Sequence, residues 1–159
     1  MSDKGDLENL WHIDVAGGRI VIKLRPDLAP GHVERIKTLT RQGFYDGIIF
    51  HRVIDGFMAQ TGDPTGTGRG GSDLPNLKAE FTKTPFKRGV LGMARSQSPD
   101  SANSQFFICL ADSRWLDGQY TVFGEVVEGM EHVDAVPKGE PPAKPGAMTR
   151  TQIGSDAKD

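Results

Sequence analysis

The stretch Phe50-His51-Arg52-Val53-Ile54-Asp55-Gly56-Phe57-Met58-Ala59-Gln60 decides how the rest of the chain is read. Two short runs of β-type residues flank Asp55-Gly56, a strong hairpin signal. Strand alternation puts Phe50, Arg52 and Ile54 on one face and His51 and Val53 on the other. Beyond the turn, Met58 and Gln60 share a face. A charged head beside Phe, Met and an amide suits a ligand site. It equally suits a barrel-rim arginine whose stem lies over apolar surface. Parity alone leaves both readings open.

Upstream, Leu10 to Val15 and Arg19 to Leu24 are β-type runs around Gly17-Gly18, which predicts a first hairpin. Pro30 suits the first turn of a helix, Val33, Ile36 and Leu39 recur at helical spacing, and Gly43 supplies a stop. One amphipathic helix is expected from Pro30 to Gln42. Downstream, Gly89 to Ala94 and Ser104 to Leu110 read as strands, the latter with Gln105, Phe107 and Cys109 on one face. Asp117-Gly118 marks a tight turn after Trp115-Leu116. Tyr120 to Val127 is a further strand, and Glu128 to Val136 suits a short helix with Met130, Val133 and Val136 on one side. Prolines at 137, 141, 142 and 145 predict an extended connection, Met148 to Ile153 a last strand, and Gly154 to Asp159 a frayed tail. Many short strands with two helical patterns predict a mainly β protein, a closed antiparallel barrel.

Gly66-Thr67-Gly68-Arg69-Gly70-Gly71 satisfies G-x-G-x-x-G to the letter. A dinucleotide site needs a helix opening directly behind the glycines, with its N-terminus on the pyrophosphate. Asp73-Leu74-Pro75-Asn76 is a poor helix start, so a flexible surface loop is the better reading. The histidines at 12, 32, 51 and 132 show no H-x-x-x-H or cysteine-paired spacing, and no metal is expected. His51 reads as a satisfied barrel histidine rather than a general base.

With 159 residues, the chain suits a single domain able to bury a core without staples. Twenty glycines and ten prolines favour many turns. A net charge of −2 argues against a nucleic-acid partner. The single cysteine, Cys109, forms no internal disulfide and sits in an apolar run, so it reads as a buried small hydrophobe in a reducing compartment. The polar residues 1 to 8 lack an apolar signal region, and no run approaches the ~18 apolar residues of a membrane span. The expectation is a soluble, cytoplasmic monomer with no membrane partner.

The opening segment closely resembles the signature hairpin of the cyclophilins, the peptidyl-prolyl isomerases, with Asp55 where proline is usual. Gly92-Met93-Ala94, Ser104-Gln105-Phe106-Phe107-Ile108 and Trp115-Leu116-Asp117-Gly118 match the same family in order and near-family spacing. The likeness covers roughly residues 10 to 153 and implies one cyclophilin-like domain over 1-159. The implied fold is a barrel of about eight antiparallel strands capped by two α-helices. It also implies that the glycine-rich loop borders a peptide groove. By the same likeness, Arg52 is similar to the catalytic arginine, and Phe57, Met58, Phe107 and Leu116 to the walls of a proline pocket. Gln60 is similar to the amide that engages the substrate backbone, Gln105 to a groove neighbour, and Ala94 and Arg95 to the stretch whose backbone binds the peptide. Trp115 matches the tryptophan associated with cyclosporin A. Arg95 stands where asparagine is common, Tyr120 where histidine is frequent, and the loop from Gln97 to Ala102 is about one residue longer than usual.

The resemblance implies catalysis of X-Pro rotation in proline-containing peptides and in unfolded or nascent proteins, with no cofactor and no covalent intermediate. Arginine suits such work because it is always protonated and presents rigid donors. Two rivals are a peptide-binding or chaperone module using the same groove, and a nucleic-acid-binding barrel, the latter opposed by the charge.

Overall fold

Alternation builds the sheet. In β1 (Leu10–Val15) and β2 (Gly18–Leu24), Trp11, Ile13, Ile20, Ile22 and Leu24 are buried in one core. The computed structural model describes residues 7–157, so the first six residues of the expected polar N-terminus, and positions 158 and 159, lie outside it. The remaining strands are β3 (Arg52–Ile54), β4 (Met58–Thr61), β5 (Val90–Met93), β6 (Phe106–Cys109), β7 (Val122–Glu128) and β8 (Arg150–Ile153). They form one antiparallel sheet in the order β3-β4-β6-β5-β7-β2-β1-β8. The protein is therefore mainly β, a curled half-barrel with two helices.

Among the described residues, the ladder of named strands does not run on from β8 to β3. The proline-rich connection before β8 covers that edge instead. Val53 and Gly139 exchange both backbone hydrogen bonds at 2.8 Å, and Phe50 N–H donates to Gly146 O at 2.8 Å. Covering an open edge in this way satisfies groups that would otherwise invite another strand.

The sheet is apolar on both faces where β4, β6 and β5 meet. Phe106, Ile108, Ala59, Leu91 and Met93 face the main core, where Trp11 and Phe106 ring centroids stand 5.0 Å apart. Met58, Phe107 and Cys109 face the other way and form a second cluster with Phe86, Leu116 and Val122. That is why Phe106 to Leu110 is a continuous apolar run rather than an alternating one. Cys109 is buried there as expected, its thiol pushed up to about 12 by burial, with Asp112 and Asp117 adding to the shift.

Two expectations fail. Phe50 does not share a face with Arg52, because pairing begins only at Arg52. Phe50 and His51 both turn inward, Phe50 into the same core as Val53. Nor is the end frayed up to residue 157: a 3-10 turn over Gly154–Asp156 lies against another over Leu7–Asn9. The Arg41 guanidinium spans Asp156 at 2.8 Å and Glu8 at 2.9 Å, and Ser155 Oγ donates to Glu8 at 2.8 Å.

The helices fall where spacing placed them. Helix α1 (Pro30–Arg41) buries Val33, Ile36 and Leu39, and α2 (Met130–Asp134) buries Val133. Helix α1 has no side-chain cap from its own flank. The cap comes from Glu80, whose carboxylate accepts the N–H of Gly31 (3.3 Å) and of His32 (2.9 Å) and the Nδ1 of the buried His32 ring (2.6 Å). Burial raises the Glu80 carboxyl, yet these bonds and the helix dipole win and hold it below its ordinary value. Burial pushes His32 below its ordinary value, against the opposing pull of Glu80. The ring is thus neutral and donates Nδ1–H to the carboxylate.

Both groups bind fewer protons folded than unfolded, so their stabilisation is present above the unfolded values and is lost on acidification. The His32 contribution fades below about pH 6.5 and that of Glu80 below about pH 4.3. Glu80→Ala is expected to lower unfolding free energy at pH 7 by about 2 kcal/mol. In urea titrations this deficit should shrink as pH falls below about 4.3, where the unfolded chain takes up the proton, and vanish at the lower pH where the folded carboxylate is protonated too.

Candidate active site

The β3–β4 hairpin sets the first side of the site. Phe57 N–H donates to Ile54 O at 3.0 Å, and only the second central residue, Gly56, has positive φ (+75°). This is the type II pattern, which the Asp55-Gly56 pair serves. In the resulting register Arg52 faces Gln60 and Ile54 faces Met58 across the hairpin. On the next strand Gln60 faces Phe107, and Phe107 in turn faces Gly92. One row therefore runs from a guanidinium through an amide to an aromatic ring, on the face of the second apolar cluster.

Phe107 forms the floor. It is 5% exposed, stacked against Phe86 with centroids 5.8 Å apart, and meets Tyr120 edge-on at 5.6 Å. Gly92 leaves the space the ring occupies: a Cβ there would stand 2.5 Å from Phe107 Cζ and 2.7 Å from Phe86 Cε1. Arg52, Phe57, Met58, Gln60, Ala94, Arg95, Phe107, Leu116 and Tyr120 together enclose a cleft of about 130 Å³. These are nine of the eleven residues singled out from the sequence.

The other two sit beside it. Gln105 lines an adjoining polar cleft with Gln60 and the loop from Gly68 to Ser72. Trp115, on a 3-10 turn over Arg114–Leu116, is 66% exposed and leans on Phe57 at 5.5 Å, outside the cleft wall. The Arg95 side chain turns along the wall, donating to Gln119 O at 3.0 and 2.8 Å and lying over the Tyr120 ring at 4.8 Å. Its occupation of that wall follows from its length and its fork of donors, which asparagine lacks.

A directed chain of hydrogen bonds orients the polar rim. The Gln105 amide nitrogen donates to Gly68 O (3.0 Å) and Gly70 O (2.9 Å), which turns its oxygen toward Gln60. Gln60 Nε2 donates to that oxygen at 2.9 Å, so Gln60 Oε1 faces Arg52, with Nη1 at 3.5 Å. Two carbonyls thereby fix both amide orientations. Asp63, missed in the sequence reading, holds the glycine loop that supplies those carbonyls. Its buried carboxylate accepts the N–H of Thr65 (2.8 Å), Thr67 (3.0 Å) and Gly68 (2.6 Å). Burial raises its pKa, but the donors of Thr65 and the loop hold it well below the carboxylate range. An Asp followed by Thr two and four residues on is the Asx-turn signal that could have found it. No helix follows the loop, so the G-x-G-x-x-G match has no phosphate-binding context.

His51 is buried, as expected, but its Nδ1 finds no hydrogen-bond partner among the described residues. Burial pushes the ring below its ordinary value, Asp63 opposing and Arg52 assisting. Arg52 itself is 45% exposed by side chain, and its Nε donates to Glu140 at 3.1 Å, a second contact that sequence spacing did not disclose. Among the described residues, no three His, Cys, Asp or Glu side chains gather as metal ligands do, and no helix is long and apolar enough to cross a membrane.

The family model for cyclophilin type peptidyl-prolyl cis-trans isomerases matches residues 10–153. A Brucella suis protein named a peptidyl-prolyl cis-trans isomerase is 54% identical over 145 residues, covering 84% of this chain and 74% of its own. The crystal structure of a cyclophilin from Hirschia baltica superposes with a TM-score of 0.89 at 30% identity, over 96% of this chain and 76% of that one. A cyclophilin type isomerase from Cryptosporidium parvum, crystallised in the presence of the dipeptide Ala-Pro, gives 0.84 at 30% identity, over 91% and 98%.

Gly92→Ala is expected to displace Phe107 or Phe86, since neither ring is a free-swinging end. Thermal or urea denaturation should show a loss of about 1–3 kcal/mol, the range for overpacking a filled core.

Proposed function

This chain belongs to the cyclophilin family and is a peptidyl-prolyl cis-trans isomerase, and we propose that Arg52 above the Phe107 floor is its catalytic group. The observation that carries this assignment is the row Arg52, Gln60, Phe107, which sets one permanent cation at the lip of a small apolar cleft.

The X-Pro bond is planar by resonance, and its unassisted rotation takes tens to hundreds of seconds. Rotation through the perpendicular state breaks conjugation and leaves a localised lone pair on the proline nitrogen. A donor fixed at that nitrogen binds the twisted amide and not the planar one, which is the condition for raising the rate. The proline ring is held by Phe57, Met58, Phe107 and Leu116, with Tyr120 edging the floor. Gln60 and the backbone at Ala94 and Arg95 engage the peptide on either side, with Gln105 orienting Gln60. Excluding water from the carbonyl also weakens the charge-separated resonance form. No bond to the enzyme forms at any point, and no cofactor is called for.

The substrates of this reading are proline-containing peptides and exposed X-Pro segments of unfolded or nascent chains. The exposed Trp115 beside Phe57 supports cyclosporin A as an inhibitor lying across the groove. A reducing, cytoplasmic setting rests on the lone buried thiol, and a monomer on the groove lying open on one subunit.

One charge-assisted hydrogen bond is worth about 1.5–3 kcal/mol, and each ~1.4 kcal/mol is tenfold in rate. Arg52→Ala should therefore reduce kcat/KM on an Ala-Pro peptide by about 10- to 150-fold in a protease-coupled assay. The fold should persist by circular dichroism, since Arg52 is half exposed. Turnover near that of the parent would refute the assignment, and no acceleration by the parent itself would leave a peptide-binding module. The parent's rate should be flat from about pH 7 to 9, because arginine does not titrate there and burial keeps His51 below about 6.5.

A further inference from the structure

Resting on the reading of Arg52 just given, we propose that Glu140 is a positioning residue for its guanidinium. The double backbone exchange between Val53 and Gly139 continues the hairpin's register by one more strand-like segment. One step along that antiparallel pairing, Glu140 comes opposite Arg52, as Gln60 does from the other side. The guanidinium is thus held from both flanks, Nε on Glu140 at 3.1 Å and Nη1 facing Gln60 at 3.5 Å. Of the five N–H donors of arginine, two are directed to these partners and three are left for a ligand.

Exposed ion pairs usually contribute little, largely because two long side chains must be ordered. Glu140 is 57% exposed, so its value to stability is small. Orientation is a separate matter. The backbone that carries Glu140 is set independently of its side chain. Gly139 has φ +141°, a Cβ there would stand 2.6 Å from Pro142 Cα, and Pro141 and Pro142 follow directly. Proline at both positions removes φ freedom. The carboxylate also stays out of the apolar cleft. It lines an adjoining cleft with His51 and Gly66 to Gly68, which shares Arg52 and Gln60 with the first, so it holds the arginine from the far side without competing for the proline.

An arginine that loses one of two anchors samples more rotamers, and reaction geometry is sensitive to displacements near 1 Å. Glu140→Ala is expected to lower kcat on an Ala-Pro peptide about five- to tenfold with KM within about twofold, the signature of an interaction felt in the transition state. Glu140→Gln keeps an acceptor oxygen at the same reach and is expected to restore kcat to within about twofold of the parent. In nitrogen-15 spectra the Arg52 Nε–H should exchange slowly in the parent and in Glu140→Gln, and rapidly in Glu140→Ala. The inference is overturned if Glu140→Ala keeps the parent's kcat while Arg52→Ala is inactive. It is overturned equally if kcat and KM worsen together with a lowered melting temperature, which marks a structural role of the connection. An active Arg52→Ala overturns the underlying reading, and this one with it.

Discussion

One strand buried on both of its faces governs this molecule. In β6, Phe106 and Ile108 belong to the main core, while Phe107 and Cys109 belong to the smaller cluster on the far side. A one-residue slip would exchange the two sets and move every side chain to the wrong face. Because β4 and β5 flank β6, its register also dictates where Gln60 and Gly92 stand relative to Phe107. The groove is thus the outer surface of the same close packing that stabilises the fold, not an addition to it. Position 92 shows this coupling most directly, since the missing side chain there is what gives the floor ring its place.

On that apolar base the polar groups are arranged with one sense throughout. Loop carbonyls orient Gln105, Gln105 orients Gln60, and Gln60 offers an oxygen to Arg52. Asp63 in turn keeps the loop carbonyls in place from beneath. Each member leaves its neighbour a single satisfactory orientation, which is how a partly exposed set of amides stays ordered.

Much of this was legible in the residues, and the failures share one physical origin. The first helix followed from the spacing of Val33, Ile36 and Leu39, and the hairpin from Asp55-Gly56, because both are local rules. The residues enclosing the cleft were reached through four motifs in family order rather than by periodicity, which left Arg52 ambiguous. What stayed hidden is non-local: Glu80 capping a helix 48 residues upstream, and Glu140 reaching an arginine 88 residues away. Alternation also misled where pairing stopped, since Phe50 and His51 precede the ladder and both turn inward. The ordered 3-10 turn near the C-terminal end escaped for the same reason: its partners, Arg41 and Glu8, lie more than a hundred residues back.

That last contact carries a topological consequence. Since Ser155 and Arg41 both reach Glu8, the last described turn, Gly154–Asp156, returns to the first, Leu7–Asn9, on the β1–β8 side of the sheet rather than beside β4 and β6. Two turns so far apart in sequence and so close in space suit a circular permutation: a linker could join Leu7–Asn9 to Gly154–Asp156 and new ends be opened in an exposed surface turn. For the same reason, cargo carried through either of these two turns would sit at one shared corner, on the β1–β8 side of the sheet.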